Sequence, residues 1–179
     1  MSKTQTKILD VAEAMIKEGG YHAFSFRQIA DAIGIKSASV HYHFPAKEAL
    51  GAAVAQRYSE RFMDALGKPE ECKVALPHYV SLFQQALASD GRTCLCGVLA
   101  AEAGRLPESV QTIIKEFADG NRIWLASMIR RKHPDWSPKR VDELALMVFS
   151  AMEGAMSFAA LSSDPSKLDR VGNALNALL

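Results

Sequence analysis

The run from Ser37 to His43 carries small or hydrogen-bonding side chains at Ser37, Ala38, Ser39, His41, Tyr42 and His43, with Val40 as its one obvious apolar anchor. Hydroxyls, imidazoles and a small apolar group on one short helix suit a DNA major groove, where they can meet base edges, thymine methyls and phosphates. A helical hairpin that merely packs is the plainer alternative. A second chemical set is Cys94-Leu-Cys96. Its spacing is not that of zinc sites, which use Cys-x2-Cys or longer with two further ligands, nor of Cys-x-x-Cys redox chemistry. No metal or cofactor is expected. Free cysteine usually acts as a small buried hydrophobe. On a helix Cys96 points about 200° from Cys94, so the two thiols are not expected to share a site, and Cys72 reads as incidental. A third set, Tyr79, Phe83, Phe117, Trp124, Phe149 and Met152, fits either core or the lining of a ligand pocket.

The elements that must position the first set are legible. Ser25 is a good N-cap with Gln28 three residues on, a capping box flanked by Phe24 and Ile29 as a hydrophobic staple. Phe26, Ile29, Ala30 and Ile33 make an apolar stripe, and Gly34 stands where a left-handed cap residue is expected. A second helix runs from about Ser37 to His43 and ends at Phe44-Pro45. Helix, Gly-containing turn, helix is the layout of a helix-turn-helix. A helix before it, capped by Ser2 with Gln5 and stopped at Gly19-Gly20, presents Ile8, Leu9, Ala12, Met15 and Ile16 and completes a small three-helix domain.

Pro45 is expected to open a long fourth helix through Leu50, Val54, Tyr58, Phe62 and Leu66 to Gly67. Lys47 in its first turn opposes the helix dipole, a conflict that a phosphate would relieve. Further helices are expected from about Glu70 to Ser89, bent at Pro77, through the cysteine stretch to Gly104 and Pro107, and from about Glu108 to Arg131. Two more begin at Ser137-Pro138 and Asp164-Pro165. The last two have wide apolar stripes rich in small residues. These suit either an internal core or a homodimeric four-helix bundle.

The 179 residues are 49% hydrophobic and 23% charged with a formal net charge of +1, an ordinary composition that gives no strong basic footprint overall. No uninterrupted apolar run reaches about 18 residues, so no membrane partner is expected. The first residues are polar and then amphipathic, unlike a signal peptide. Three cysteines argue against a disulfide framework and for a cytoplasmic setting.

The stretch GIKSASVHYHFPAKEAL resembles the signature of the tetracycline-repressor (TetR) family of bacterial transcription regulators, with Gly34, Ser39, Tyr42 or its neighbours, Phe44, Lys47, Glu48, Ala49 and Leu50 at matching places. Lys36 stands where a capping Ser is common, which moves the expected cap to Ser37, and His41 and His43 stand where Tyr is common. The resemblance implies an all-α fold, with a helix-turn-helix domain over residues 1–48 and a ligand-binding and dimerisation domain over 49–179. It implies a homodimer on a double-stranded DNA operator, most simply a repressor released by a small-molecule effector. The DNA-contacting candidates are Ser25, Arg27, Lys36, Ser37, Ala38, Ser39, His41, Tyr42, His43 and Lys47. Cys94-Leu95 with Leu99, Glu102, Leu106 and Glu108 is similar to a subgroup that includes electrophile- and acrylate-responsive repressors, although Thr93 replaces the usual Gly. That subgroup makes Cys94 a sensor candidate, with Arg92 and a helix start nearby to support a thiolate. A thiol-dependent enzyme, with His78 or His133 as base, and a protein-binding helical module are the alternatives; neither an oxyanion-hole loop nor a cofactor loop is visible, so no enzyme activity is expected.

Overall fold

The computed structural model describes residues 1–72 and 74–179; residue 73, within the stretch expected to open the fifth helix, lies outside the described residues. Among the described residues all regular structure is helical. The order is α1 (Lys3–Gly19), α2 (Phe26–Ile33), α3 (Ser37–His43), α4 (Lys47–Leu66), α5 (Ala75–Asp90), α6 (Leu95–Ala101), α7 (Glu108–Lys132), α8 (Pro138–Leu161) and α9 (Ser166–Leu178), with 3-10 turns at Tyr21–Ala23, Pro69–Glu71 and Ala103–Arg105. Two compact units result: Met1–Glu60 with Leu95–Lys115, and Arg61–Cys94 with Glu116–Leu179.

In the first unit, the Ser2 hydroxyl accepts the Gln5 N–H at 3.1 Å and starts α1. Ile8, Leu9, Ala12 and Ile16 then bury one face of that helix. Arg57 of α4 reaches back to Asp10 and Glu13, both at 2.8 Å, and pins the two helices. The Tyr21 N–H donates to Glu102 at 3.1 Å, satisfying the backbone just after α1. Ser25 caps α2 by accepting the Gln28 N–H at 3.3 Å. The capping box differs from the expected form in one respect. The Gln28 side chain accepts from the Ser25 hydroxyl at 2.8 Å rather than bonding to the backbone of the cap residue.

Several boundaries move for local reasons. The residue that caps α3 is Lys36, with no side-chain bond, so Ser37 is the first helical residue and not the cap. The fourth helix begins at Lys47, leaving Pro45 just outside it. The fifth begins at Ala75 after a separate 3-10 turn, which places Pro77 in its first turn. A proline there loses no intrahelical hydrogen bond, so the expected bend has no cause.

In the second unit, α5, α8 and α9 pack on one another. Close approach of α5 to α9 requires Gly172, where a Cβ would stand 2.8 Å from Val80. The Ser137 hydroxyl caps α8 by accepting the Arg140 N–H, with Pro138 in the first position. Val141, Ala145, Val148, Met152, Met156 and Ala159 form the fully buried stripe of that helix. By length and composition α8 is apolar enough to cross a membrane, a property that run length alone did not bring out; its stripe is the core of this unit.

Candidate functional site

The first candidate site is the exposed face of α3. Gly34 ends α2 in the left-handed region at φ 71°. Its N–H reaches the Asp31 carbonyl at 3.4 Å, and the Ile35 N–H reaches the Ala30 carbonyl at 3.0 Å. This pair of bonds is the Schellman arrangement, which closes α2 and sets the direction in which the chain enters α3. That helix is anchored by one side chain, the fully buried Val40. The rest of α3 faces outward. Tyr42 is 86% exposed, Lys36, Ala38 and His41 are exposed, and Ser37, Ser39 and His43 are half-buried. His41 meets Phe26 edge-on at 4.5 Å, and His43 meets Tyr42 at 5.2 Å, so both imidazoles are braced by aromatic rings. Ser25 and Arg27 are exposed at the start of α2.

Lys47 is held differently from the other basic candidates. Its Nζ donates to the Phe24 carbonyl at 2.7 Å and stands over the Phe24 and Tyr21 rings at 4.5 and 5.3 Å. Partial burial lowers its pKa from the ordinary lysine value. The ammonium thus ties the start of α4 to the residue before the α2 cap.

The second candidate site lies inside the second unit. Tyr79 is fully buried, and its hydroxyl donates to Asn121 Oδ1 at 2.9 Å. Asn121 Nδ2 donates in turn to the Phe117 carbonyl at 2.8 Å, so a buried amide is satisfied on both sides. Trp124 stacks on Tyr79 at 5.8 Å and donates its indole N–H to the Gly67 carbonyl at 2.9 Å. Phe83 lies 5.2 Å from Tyr79, Phe62 lies 5.5 Å from Phe83 and 5.3 Å from Phe117, and Phe149 meets Phe117 at 6.2 Å. Met152 and Cys94 are buried in the same unit. Tyr79, Phe83, Phe117, Trp124 and Phe149 are therefore linked through ring contacts. Cys96 belongs to the other unit.

Glu153 is the residue that sequence reasoning missed. It is the sole charged residue from Leu144 to Leu161, a signal available in the sequence. Both of its carboxyl oxygens are shut off from solvent and, among the described residues, neither has a hydrogen-bond partner of ordinary geometry. Its polar neighbour is the Cys94 thiol, at best a weak donor. Burial first, and then Cys94, push the Glu153 pKa well above the usual carboxylate range. Burial, then Glu153 and Cys94, likewise raise Tyr79 well above the ordinary phenol value. One turn along α8, Ser157 lies 3.3 Å from the Thr93 hydroxyl, which sets the segment before α6 alongside Glu153. An acid thus lies beside Cys94, a neighbour that works against a thiolate, although Cys94 directly precedes the start of α6. The two histidines weighed as its base are engaged elsewhere in the unit. His78 contacts the Ala65 carbonyl at 3.2 Å, while His133 contacts the Leu179 carbonyl and stacks on Trp136.

Residues 8–54 match the family described as bacterial regulatory proteins, tetR family. A TetR transcriptional regulator from Legionella pneumophila has a solved structure with a TM-score of 0.88 and 33% identity, over 100% of this chain and 98% of that one. A TetR-family regulator from Agrobacterium tumefaciens has a TM-score of 0.84 and 25% identity, over 97% and 96%. The HTH-type transcriptional regulator UidR of Escherichia coli (strain K12) is 27% identical over 134 residues, which are 73% of this chain and 59% of that protein. The chain thus aligns with less than two thirds of that curated relative. Family signature, full-length structural likeness and the α2–Gly34–α3 geometry agree: the chain belongs to the TetR family.

Proposed function

We propose that the protein is a DNA-binding transcriptional regulator, a homodimeric repressor released from a palindromic operator by a small molecule. The observation that carries this reading is the face of α3, a polar, outward surface on a helix fixed by Val40 and by the Gly34 turn. Residues 1–48 hold the DNA-reading helices, and the effector belongs to the part beyond them. Arg27, Lys36 and Lys47 supply phosphate contacts; Ser37, Ala38, Ser39, His41, Tyr42 and His43 supply base and backbone contacts, with Ser25 at the α2 start. One short helix reads too few bases, and two-fold symmetry supplies a second half-site. The α8 and α9 surfaces support a dimer. Phe158 and Leu178, 64% and 60% exposed, line a groove of about 530 Å³ with Ala155, Val171, Ala174 and Leu175 and with the charged Lys167 and Arg170, and Leu161 is 81% exposed.

The effector reading rests on the linked aromatic cluster around Tyr79. The surroundings of Cys94, buried and facing Glu153, favour a reversible ligand over a reactive electrophile. The Legionella and Escherichia coli relatives are regulators, and the engaged histidines give a thiol-dependent enzyme no support.

The test is fluorescence anisotropy with duplex DNA from the region upstream of the protein's own gene, titrated with salt. Specific binding that weakens steeply with salt, in proportion to the phosphates neutralised, is the expected outcome. No binding to any duplex at low salt would end the reading.

A further inference from the structure

Glu153 is not among the residues assigned to DNA reading, and both of its carboxyl oxygens are shut off from solvent. A buried carboxyl whose polar neighbour is only a weak thiol donor is destabilising by the desolvation it has undergone. Native structures keep such groups rarely, and each calls for a ligand, ion or chemical role. Here the neighbours narrow the choice. Among the described residues, the titratable groups that couple to the carboxyl are Tyr79 on α5 and Cys94 just before α6, and neither is a cation. Tyr79 is the ring that Phe62, Phe83 and Trp124 all meet. Phe149 lies one turn before Glu153 on α8 and meets Phe117.

We infer that Glu153 is the recognition point for a cationic nitrogen of the effector, an organic ammonium whose apolar body packs on the aromatic side chains around Tyr79. An ammonium supplies what the carboxyl lacks, N–H donors and an opposite charge, and aromatic faces favour the same cation. A carboxylate or other anionic effector would meet an acid. The inference rests on the proposed effector binding in this unit and gives that ligand a class.

Binding has a proton balance. Without ligand, burial and then Cys94 favour the protonated carboxyl. When an ammonium arrives, the carboxyl O–H bond breaks, the proton passes to buffer, and an ammonium–carboxylate pair remains. The thiol is not consumed.

The test uses the full chain and two probes, 2-phenylethylammonium chloride and the uncharged 2-phenylethanol. Titration calorimetry at neutral pH in phosphate and in Tris gives affinity and protons exchanged. Wild type is expected to prefer the ammonium by about tenfold or more, the difference that one charge-assisted contact supplies, and to release protons as it binds. Glu153→Gln keeps the side-chain shape and loses both the preference and the release, while circular dichroism shows its helices intact. Glu143→Gln, an exposed acid on the same helix, leaves both unchanged. Equal affinity for the two probes, no ammonium binding at millimolar concentration, or a preference that survives in Glu153→Gln overturns the inference. DNA binding is measured on the same samples. DNA binding without ammonium preference removes this site and leaves the regulator. Ammonium preference without DNA binding removes the regulator and leaves this site.

Discussion

The two helices α3 and α8 solve opposite problems with polar side chains. On α3 the hydroxyls and imidazoles lie on the surface around one buried anchor, Val40. Water satisfies them until another polar surface takes its place, so they cost the fold almost nothing. On α8 the one acid within the apolar run from Leu144 to Leu161, Glu153, has both oxygens buried, with only the weak Cys94 thiol beside them. Water cannot reach it, and the fold bears the cost continuously. The position of a polar group, more than its type, decides whether its function is a surface to be read or a demand to be met.

The largest break of this contrast is in the packing that imposes the demand. Phe117 is 1% exposed and meets both Phe62 and Phe149 edge-on. Phe117→Ala is expected to destabilise the protein by about 3–5 kcal/mol, read by urea denaturation. A loss below about 1 kcal/mol, within the range of surface substitutions and minor repacking, would mean that the aromatic cluster is loosely packed and imposes little on Glu153.

A smaller effect, with a defined dependence on pH, comes from Glu153 itself. Its folded pKa lies above the unfolded value of 4.5. Below that value both states are protonated and the group contributes nothing. As pH rises above it, the unfolded chain loses the proton while the folded chain keeps it, so the native state loses stability. Glu153→Gln should therefore match wild type near pH 4 and melt higher than wild type by pH 8, by about 1–3 kcal/mol in stability, the usual cost of an unsatisfied buried group. Melting curves that stay parallel across this range would show that the carboxyl is solvated in solution.

These expectations depend on features of unequal visibility in the sequence. Helix ends set by local signals were readable. Ser2, Ser25 and Ser137 each cap the helix assigned to them, because the bond runs to a backbone N–H three residues away. The Gly34 turn was readable for the same reason. The α4 start and the α3 cap were misplaced by a residue or two, since Pro45 and Ser37 are each compatible with two adjacent positions. Asn121 and Glu153 were not readable as a site. Asn121 gains its meaning from Tyr79, and Glu153 from Cys94 and Tyr79, partners far away in sequence. The one available hint, a lone acid in the α8 stripe, does not say what faces it.

On α3 the contrast predicts separation of function from stability. Tyr42→Ala removes a side chain that is 86% exposed, so stability should change by less than about 0.5 kcal/mol. Operator affinity should fall by about 1–2 kcal/mol, in the range of one lost base contact. Anisotropy and melting on one sample give both numbers. A Tyr42→Ala protein that binds operator as wild type does would remove this residue from the reading surface.

The smallest effect sharpens the contrast most directly, because it concerns an acid at the surface near the other end of the same helix. Asp164 lies just after α8 and starts α9: its carboxylate accepts from Lys167 Nζ at 2.8 Å, the Ser166 hydroxyl at 2.6 Å and the Ser166 N–H at 3.1 Å. The bond from Lys167, then that from the Ser166 hydroxyl, lowers its pKa from 3.8 to about 2. The sign is opposite to that of Glu153. The stabilisation is complete above the unfolded pKa and is lost as pH falls through the folded one, so the window runs from 3.8 down to about 2. Asp164→Asn should melt slightly below wild type at neutral pH, and the gap should close as the solution is acidified across that window. Carboxyl-carbon NMR titration reads the same quantity without a variant. A midpoint for Asp164 near 3.8 would show that the three bonds are not held in solution, and the start of α9 would then rest on the packing of Leu168 and Leu175, both buried.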